Sequence, residues 1–374
     1  EDLREIHSVY VIPAVEEVIR CADAATAVLE LLKKAKAEDL VADPPFLTEL
    51  YQLEAYRDRL IRLSNTLAEG TNDTLAPNTV RWIEIESDNT NIVRIVRCPL
   101  EIAEPLADWV YGNLHTLVMT SATLSVRKKF DYFNHRVGLD RVPDRYPEGR
   151  AIDSPFDYAS QAMLCIPTDL STPDARSFHD DTVASVREVL RITRGHAFVL
   201  FTSFYALDYV HRRLEPELKA AGITALKQGS AARTRLLDRF RSDSSSVLFA
   251  TDSFWEGVDV PGDALQCVIL TKLPFRVPTE PILEARSEAI EHAGGNPFME
   301  YTVPQAVIKF RQGFGRLIRR KTDRGAIVVL DRRVLTKHYG KVFIESLPGL
   351  KVVSGPSQGV YMALEKFFQR TSGE

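Results

Sequence analysis

The pattern of apolar positions changes twice along the 374-residue chain. Up to about residue 70, apolar residues recur every three or four positions, which predicts amphipathic helices. Pro44-Pro45 separates two such stripes, and we expect the two helices to pack on each other. The stripe positions are Val15, Val18, Ile19, Ala22, Ala25, Val28, Leu29 and Leu32, followed by Leu50, Leu53, Tyr56, Leu60, Leu63 and Leu67.

A strand-like pattern follows a polar stretch at residues 69–78 that predicts a loop. The runs TVRWIEIES and NIVRIVRC are rich in β-branched residues and flank residues 88–91, which predicts a hairpin. A helix-like stretch extends from Leu100 to Leu114. The short apolar run TLVM at 116–119 comes next, and we interpret it as a further strand.

Beyond about residue 160, short apolar runs alternate with helical patterns, which predicts βαβ units and a buried parallel sheet. The runs are AMLCI (162–166), AFVLF (197–201), ITAL (223–226), SVLFA (246–250), QCVIL (266–270) and AIVVL (326–330). Ligands of open parallel sheets bind at the carboxyl ends of the strands. The residues that directly follow each run are therefore candidate site residues.

Three of the predicted strand ends carry small hydroxyl groups. These ends are Thr120-Ser121-Ala122-Thr123, Thr202-Ser203 and the stretch from Thr251 to Asp259, which adds three carboxylates. Small hydroxyls and backbone N–H groups suit phosphate oxygens. Any one such end is also explained by an ordinary helix cap. Three together favour a phosphate-bearing ligand.

Composition and charge limit the function classes. The chain is 45% hydrophobic and 26% charged with a net charge of −4, which is typical of a globular protein of two or three domains. A nucleic-acid site must then be a local groove, because the chain has no overall positive field. No apolar run is long enough to span a membrane. The cysteines Cys21, Cys98, Cys165 and Cys267 lack metal-ligand spacing, so we expect reduced thiols and no metal site.

The stretch QGFGRLIRR at 312–320 concentrates cations beside two glycines. On a helix drawn through residues 304–320, Gln312, Arg316 and Arg319 share a polar face. The opposite face carries Val307, Phe310, Phe314, Leu317 and Ile318.

Each glycine inside a helix costs about 1 kcal/mol of stability relative to alanine. Close approach by a ligand would explain why this segment nevertheless contains two glycines. We interpret the polar face as arginine fingers for a cleaving phosphoanhydride, with Gln312 orienting water. The alternative is a charged surface helix. A dinucleotide fingerprint is rejected, because the sixth position of GFGRLI is Ile318.

These segments together resemble motifs of the iron–sulfur-type superfamily 2 DNA helicases, in the DinG-like branch related to XPD. TSATLS (120–125) resembles motif III, VLFTSF (199–204) motif IV, VLFATDSFWEGVDVPGD (247–263) motif V and QGFGRLIRR motif VI; KLPF (272–275) and LDRR (330–333) also match. The motifs keep the family order over about residues 79–350.

The resemblance implies an α/β fold, namely a RecA-like parallel sheet flanked by helices, with ATP in the cleft between two such domains. We expect a helical Arch-type portion at 1–78 and the tail of helicase domain 1, with motif III, at 79–150. Helicase domain 2, with motifs IV, V and VI, is expected at 151–374.

The resemblance also assigns roles to individual residues. Gln312, Arg316 and Arg319 would face the ATP phosphates, and ATP binding and coupling would fall to Thr120, Ser121, Thr123, Glu256, Gly257 and Asp259. DNA contacts would fall to Thr202, Ser203, Thr251, Ser253 and Trp255, although Trp255 could equally be a core residue. The arginines at 233, 235, 239 and 241 and the stretch 311–324 suit an electrostatic track, with a solvated helix face as the alternative for the first.

Two family motifs are missing from the sequence. It contains no G-x-x-x-x-G-K-[ST] phosphate loop and no D-E-A-H, and its cysteines do not form the four-cysteine cluster site. We therefore expect a processed or excised carboxyl-terminal portion that begins inside the Arch insertion and is inactive alone. ATP and Mg²⁺ would act in the complete enzyme; a 4Fe–4S cluster is allowed only in the missing part.

The expected partners are single-stranded DNA, tracked 5′ to 3′, and the missing amino-terminal helicase domain 1. We expect a monomer in the bacterial cytoplasm, without a membrane and with a role in DNA repair. One alternative is a non-catalytic module with a RecA-like fold that binds single-stranded nucleic acid or a partner. Another is a nucleotide-sugar or dinucleotide enzyme, which rests on fold analogy alone.

Overall fold

The computed structural model describes residues 7–37, 47–71, 78–86, 89–121, 123–125, 129–142, 146–251, 254, 260, 264–276 and 280–369. The chain divides into two compact units. One is Glu1–Glu101 with Glu280–Ala285, and the other is Ile102–Thr279 with Arg286–Glu374. The functional domain boundaries after residues 78 and 150 stay predictions.

The first unit contains the predicted helices and the predicted hairpin. Its elements are a π-helical turn His7–Val11, α1 (Ile12–Ala37), α2 (Leu47–Thr71) and the antiparallel strands β1 (Thr79–Glu86) and β2 (Asn89–Pro99). An ion pair of 2.6 Å joins Lys33 of α1 to Glu54 of α2. Within the stripe of α1, Leu29 is buried but Val28 is 46% exposed. The two helices therefore bury only part of their apolar stripes against each other.

The second unit opens with short helices, α3 (Ala103–Trp109), a 3₁₀ turn Tyr111–Asn113 and α4 (Asp131–Val137). The predicted strand at 116–119 is wrong, since these residues belong to no described strand. Leu117 and Val118 are 40% and 78% exposed. A strand needs a neighbour for its backbone N–H and C=O groups, and no described strand pairs with this stretch.

Seven parallel strands form the sheet of the second unit, in the order β5-β6-β4-β7-β8-β3-β9. They are β3 (Ala162–Pro167), β4 (Ala197–Leu200), β5 (Thr224–Lys227), β6 (Ser246–Ala250), β7 (Cys267–Leu270), β8 (Gly325–Val329) and β9 (Lys351–Gly355). The first six are the six predicted runs, so the parallel sheet is confirmed. The edge strand β9 was not predicted.

Helices cover both faces of this sheet. They are α5 (Tyr158–Gln161), α6 (Phe178–Thr193), α7 (Phe204–Ala220), α8 (Arg233–Ser242), α10 (Val303–Phe314), α11 (Arg333–Thr336), α12 (Gly340–Ser346) and α13 (Ser357–Gln369). A further helix, α9 (Pro281–His292), has residues in both units and belongs to neither core of the sheet. Along β3, Leu164 and Ile166 belong to the core shared with α8, α10 and α12. Met163 and Cys165 belong to the core shared with α6, α7 and α13. Because both faces are buried, the strands appear in the sequence as continuous apolar runs.

None of the described helices has the length and apolar character needed to cross a membrane.

Candidate functional site

Two of the three predicted hydroxyl-bearing strand ends lie at the same edge of the sheet. Thr202 and Ser203 follow β4, and Thr251 follows β6. These two strands are direct parallel neighbours, with Leu200 in register with Ala250. The third end, at Thr120–Thr123, does not follow a strand, because the run before it at 116–119 pairs with no described strand.

The hydroxyls at this edge already have structural partners. Ser203 is the N-cap of α7, and its Oγ accepts a hydrogen bond of 3.3 Å from the N–H of Ala206. Thr251 is only 7% exposed, and both its N–H and its Oγ1 donate to Oε1 of Gln228, at 2.7 and 3.1 Å. Ser203 only accepts in this bond, so its O–H group can still donate a hydrogen bond to a ligand. Thr251 offers a ligand little surface, and the DNA roles of these residues stay predictions.

A neighbouring turn was missed in the sequence. Gln228, Gly229 and Ser230 follow β5, the strand next to β6, and Gln228 links the two strand ends through Thr251. Gly229 has φ +90°, a left-handed conformation that disfavours other residues. Ser230 is exposed, and its Oγ donates to the carbonyl of Lys227 at 2.7 Å. A glycine three residues after the short apolar run at 223–226 was the available signal for this turn.

Five of the predicted site residues lie outside the described residues. They are Ser253, Trp255, Glu256, Gly257 and Asp259. Their assigned roles in coupling and DNA binding stay predictions.

The predicted helix through 304–320 is wrong in its second half. The helix α10 ends at Phe314, and Gly315 is its C-cap, with its N–H on the carbonyl of Arg311 at 2.9 Å. The next N–H groups, of Arg316 and Leu317, donate three residues back, so the chain leaves the helix through a tight turn. Of the two glycines, Gly313 is inside the helix and Gly315 is its C-cap, in a right-handed conformation with φ −60°.

A polar network explains why the chain does not continue as a helix. One carboxylate oxygen of Asp323 accepts from the N–H groups of Arg319 and Arg320, both at 2.8 Å. The side-chain amide of Gln161 donates to the carbonyls of Arg320, Lys321 and Asp323, at 3.0, 3.0 and 2.8 Å. These bonds replace the helical ones, so Arg319 is held by a loop.

The predicted buried face of this segment is confirmed. Val307, Phe310, Phe314, Leu317 and Ile318 all belong to one hydrophobic core, each at most 5% exposed. The turn after Phe314 therefore keeps Leu317 and Ile318 buried although they are not helical.

Gln312 and Arg316 line a cleft of about 1220 Å³ in the second unit, together with Thr120, Ser121 and Thr123 of the motif III segment. The structure thus brings together five of the predicted site residues. Arg319 is not among the described residues that line the cleft. Its separation from Gln312 and Arg316 follows from the end of α10 at Phe314.

One acceptor of a cleft-lining residue has no donor among the described residues. The Oε1 atom of Gln312 is buried and receives no hydrogen bond from the described part of the chain. A buried acceptor left unpaired costs about 1–3 kcal/mol, so such atoms in native proteins call for an explanation. A donor on a bound ligand or water would satisfy it.

The motif III segment is tied to the motif VI helix. Arg311 of α10 donates through Nη1 to the carbonyl of Ser125. Within the segment, Thr123 N–H donates to Oγ of Ser121 at 3.2 Å, and the two hydroxyl oxygens lie 3.3 Å apart. Arg311, which the sequence suggested only as part of a basic stretch, is therefore the residue that links the two motifs.

Burial lowers the pKa of the guanidinium groups of Arg311 and Arg319. For Arg319, Arg241 lowers the pKa further, and the Asp323 carboxylate acts in the opposite direction. Arginine stays protonated in proteins, so both remain cations with part of their hydration removed. Such cations interact more strongly with an anionic ligand than exposed ones do.

The basic helix α8 exposes its arginines. Leu236, Leu237 and Phe240 face the core, whereas Arg235 and Arg239 are exposed. This arrangement suits a DNA track and a solvated face equally, so both interpretations of α8 stay open.

The segments KLPF and LDRR meet at a buried carboxylate. Asp331, after β8, is fully buried and accepts from the N–H of Leu273, after β7, at 3.0 Å. Arg333 donates to it through Nε and Nη2, the latter at 2.6 Å. This network joins the segments that follow the adjacent strands β7 and β8 at the carboxyl edge of the sheet.

The described residues contain no group of three or more His, Cys, Asp or Glu side chains that could hold a metal ion. Cys165 and Cys267 are buried in the sheet. Burial raises the pKa of Cys165 to about 12 and that of Cys267 well above its usual range. Both thiols are therefore protonated at neutral pH and are poor metal ligands.

Residues 186–349 match the helicase C-terminal domain family. The chain is 36% identical over 354 residues to the ATP-dependent DNA helicase DinG of Photobacterium profundum, covering 90% of this chain and 50% of the relative. It is 37% identical over 293 residues to the 3′-5′ exonuclease DinG of Bacillus subtilis, covering 76% and 31%. It is 36% identical over 294 residues to the ATP-dependent DNA helicase YoaA of Escherichia coli, covering 78% and 43%. The chain thus spans half or less of these curated relatives.

Two solved XPD structures share the fold. XPD_Helicase has a TM-score of 0.51 at 14% identity and covers 91% of this chain and 64% of that one. XPD_APO has a TM-score of 0.50 at 14% identity, with coverages of 86% and 61%. At this identity the likeness concerns the fold alone, which is the RecA-like α/β fold.

The parallel sheet, the matched domain and the ordered motifs place the chain among superfamily 2 helicases. Within that class it is similar to the DinG-like helicases, and it resembles a carboxyl-terminal portion of such proteins.

Proposed function

We propose that this chain supplies the carboxyl-terminal part of an ATP-dependent DNA helicase that moves 5′ to 3′ along single-stranded DNA. The observation that carries the proposal is the cleft in which Gln312 and Arg316 meet Thr120, Ser121 and Thr123. Arg316 supplies a cation to this cleft, Gln312 an acceptor without a donor among the described residues, and the motif III segment three hydroxyl groups.

The chemistry of these groups suits the terminal phosphates of ATP. Charge spreads over the phosphate oxygens as the phosphoanhydride cleaves, and fixed guanidinium groups stabilise it. Arg316 would act from the cleft, and Arg319 from the adjoining loop. Gln312 would accept a hydrogen bond from the attacking water through its buried Oε1 and so orient it.

The remaining parts of the ATP site would come from helicase domain 1. The sequence lacks the phosphate loop and the D-E-A-H motif, and the described residues offer no cluster for a metal ion. We therefore assign the binding of Mg²⁺, and of a 4Fe–4S cluster where one exists, to protein outside this chain. Bound Mg²⁺ would neutralise charge on the phosphates.

The carboxyl edge of the sheet would carry half of the DNA track. Thr202 and Ser203 follow β4 at this edge, and the turn at 228–230 follows β5, on the other side of β6. The exposed Ser203 hydroxyl, which can still donate, suits a DNA phosphate. The exposed arginines of α8 would add attraction for the strand. The Arg311–Ser125 bond would pass changes at the nucleotide to the motif III segment. We expect a monomer in the bacterial cytoplasm that serves DNA repair.

Arg316→Ala in the complete enzyme tests the proposal. Loss of an arginine finger should lower the DNA-stimulated ATPase turnover about 10³- to 10⁵-fold. Affinity for single-stranded DNA, measured by fluorescence anisotropy, should change little. The matched control is Arg191→Ala, since Arg191 is 58% exposed on α6 and pairs with Glu188. Near-normal turnover of Arg316→Ala would show that the finger is misassigned.

A second candidate function is a non-catalytic module that binds single-stranded nucleic acid or a partner. The missing phosphate loop favours it. Sequencing the gene upstream of the Glu1 codon separates the two candidates. A phosphate loop and a D-E-A-H in frame support the motor, and a start codon without them supports the module.

A further inference from the structure

The position of Arg319 depends on a loop, because α10 ends at Phe314. Loops are usually more mobile than the elements they connect, and a catalytic cation needs a fixed position. The described structure shows how this loop is fixed, and the residues that fix it have no assigned role in the helicase motifs.

Two buried side chains hold the backbone from Arg319 to Asp323. Gln161, 6% exposed, donates to three carbonyl oxygens of the loop, and Asp323, 8% exposed, accepts from two of its N–H groups. An amide nitrogen carries two hydrogens, so at least one of them is shared between two carbonyls. The loop backbone is thereby bonded on both its donor and its acceptor side.

Gln161 is itself anchored to the centre of the fold. It is the last residue of α5, and the next residue, Ala162, begins β3. Ala162 is in register with Gly325, the first residue of β8, which follows the loop directly. The loop therefore runs from helix α10 to strand β8. Gln161, which binds the loop, directly precedes β3, the strand that pairs with β8.

We propose that Gln161 is a positioning residue that, with Asp323, sets the location of the Arg319 guanidinium for phosphate cleavage. The inference rests on the proposed function, since it takes Arg319 to be a finger. Asp323 has a second role in this arrangement, because its carboxylate favours the charged form of the partly dehydrated Arg319.

Gln161→Glu tests the proposal most sharply, because it keeps the size of the side chain. It removes the donor and turns a carboxylate toward three carbonyl oxygens. In the complete enzyme we expect the ATPase kcat to fall about 10- to 100-fold, as for a small misplacement of a catalytic group. KM for ATP and the affinity for single-stranded DNA should stay within about threefold, since a finger acts mainly in the transition state.

Two further variants separate positioning from general destabilisation. Asp323→Asn keeps an oxygen that can accept both N–H bonds and should retain more activity than Asp323→Ala. Gln305→Ala is the matched control, because Gln305 of α10 donates its side-chain amide to Tyr132 Oη at 2.5 Å, away from the loop. It should leave kcat near the wild-type value.

Amide hydrogen exchange supplies a readout independent of activity. In this chain, Gln161→Glu should increase exchange at the N–H groups of Arg319 and Arg320 while the strands stay protected. A Gln161→Glu enzyme with exposed loop amides and normal kcat would overturn the inference, as would an equal loss in Gln305→Ala. Unchanged exchange at these amides would overturn it as well.

Arg319→Ala distinguishes failure of the inference from failure of the proposed function. If Arg319→Ala is inactive and Gln161→Glu is fully active, only the positioning role is wrong. If Arg319→Ala turns over normally, Arg319 is not a finger and both assignments fail.

Discussion

At the scale of single residues, the side chains that hold the site together could not be predicted, because each binds a residue that is distant along the chain. Gln161 binds the carbonyl of Asp323, 162 positions away, and Asp331 binds the N–H of Leu273, 58 positions away. Gln312 and Arg316 could be predicted, because their residue types cluster within one short motif. Isolated glutamine and aspartate residues carry no such local pattern, so only the fold reveals them.

Acid should destabilise the second unit through His211. This histidine of α7 is 7% exposed and lies edge-on to Phe249, with ring centroids 5.2 Å apart. Its pKa is lowered from 6.5, first by burial and also by Lys227, while Glu215 and Asp208 act in the opposite direction.

A lowered pKa means that the folded state binds fewer protons than the unfolded state near pH 6. The contribution of His211 to the free energy of unfolding is therefore fully present above the pKa of the unfolded state and is lost as the pH falls below that value. We expect the Tm of the wild-type chain to drop between pH 7.5 and 5.5. His211→Gln should reduce this drop, whereas the control His292→Gln, at an exposed position, should not. An equal drop in wild type and His211→Gln would contradict this assignment.

At the scale of helices and strands, burial decided what could be predicted. The five inner strands β3, β4, β6, β7 and β8 are buried on both faces, so their apolar runs indicate them directly, and the half-buried edge strand β5 still carries a short apolar run. The edge strand β9 (Lys351–Gly355) alternates exposed and half-buried residues and gives no continuous run. The stretch 116–119 has an apolar run but no partner strand, and the end of α10 depends on distant hydrogen bonds.

The helix α13 tests how much one amphipathic face contributes to stability. Leu364 is fully buried in the core beside β3 and β9, whereas Met362 on the same helix is 64% exposed. Leu364→Ala should lower the free energy of unfolding by about 2–5 kcal/mol, through lost burial and the cavity left behind. Met362→Ala should change it by less than about 0.5 kcal/mol.

Urea unfolding followed by circular dichroism would measure both values. Similar losses for the two variants would mean that α13 does not pack on the sheet as described. Leu364 and Met362 are of similar size and neither is β-branched, so the difference between the two variants reports the effect of burial on the free energy of unfolding.

At the scale of the whole molecule, motif order predicted the family and the sheet class correctly. Motifs IV and V include the carboxyl ends of β4 and β6, which are locally encoded as apolar runs, whereas motif VI contains the end of α10 and motif III follows no strand. The cleft could not be predicted in detail, because its lining includes a segment without strand pairing and a helix end, both of which the periodic pattern misassigned.

The pure chain should not hydrolyse ATP at a helicase rate. It lacks the phosphate loop and the D-E-A-H motif that relatives of this kind use for the phosphates and Mg²⁺. A coupled-enzyme assay with Mg²⁺ and single-stranded DNA should give only background turnover, identical for wild type and Arg316→Ala. Robust turnover that depends on DNA and is lost in Arg316→Ala would show that the chain contains a complete ATP site.

The exposure of Leu117 and Val118 has a consequence for the association of the purified chain. Neighbouring exposed apolar side chains that no described strand covers favour contact with another copy. A net charge of −4 on 374 residues supplies only weak repulsion between copies. Light scattering by the purified chain should therefore rise with concentration, and it should fall when charged residues replace Leu117 and Val118. The same two side chains would lose this tendency wherever another strand covers them.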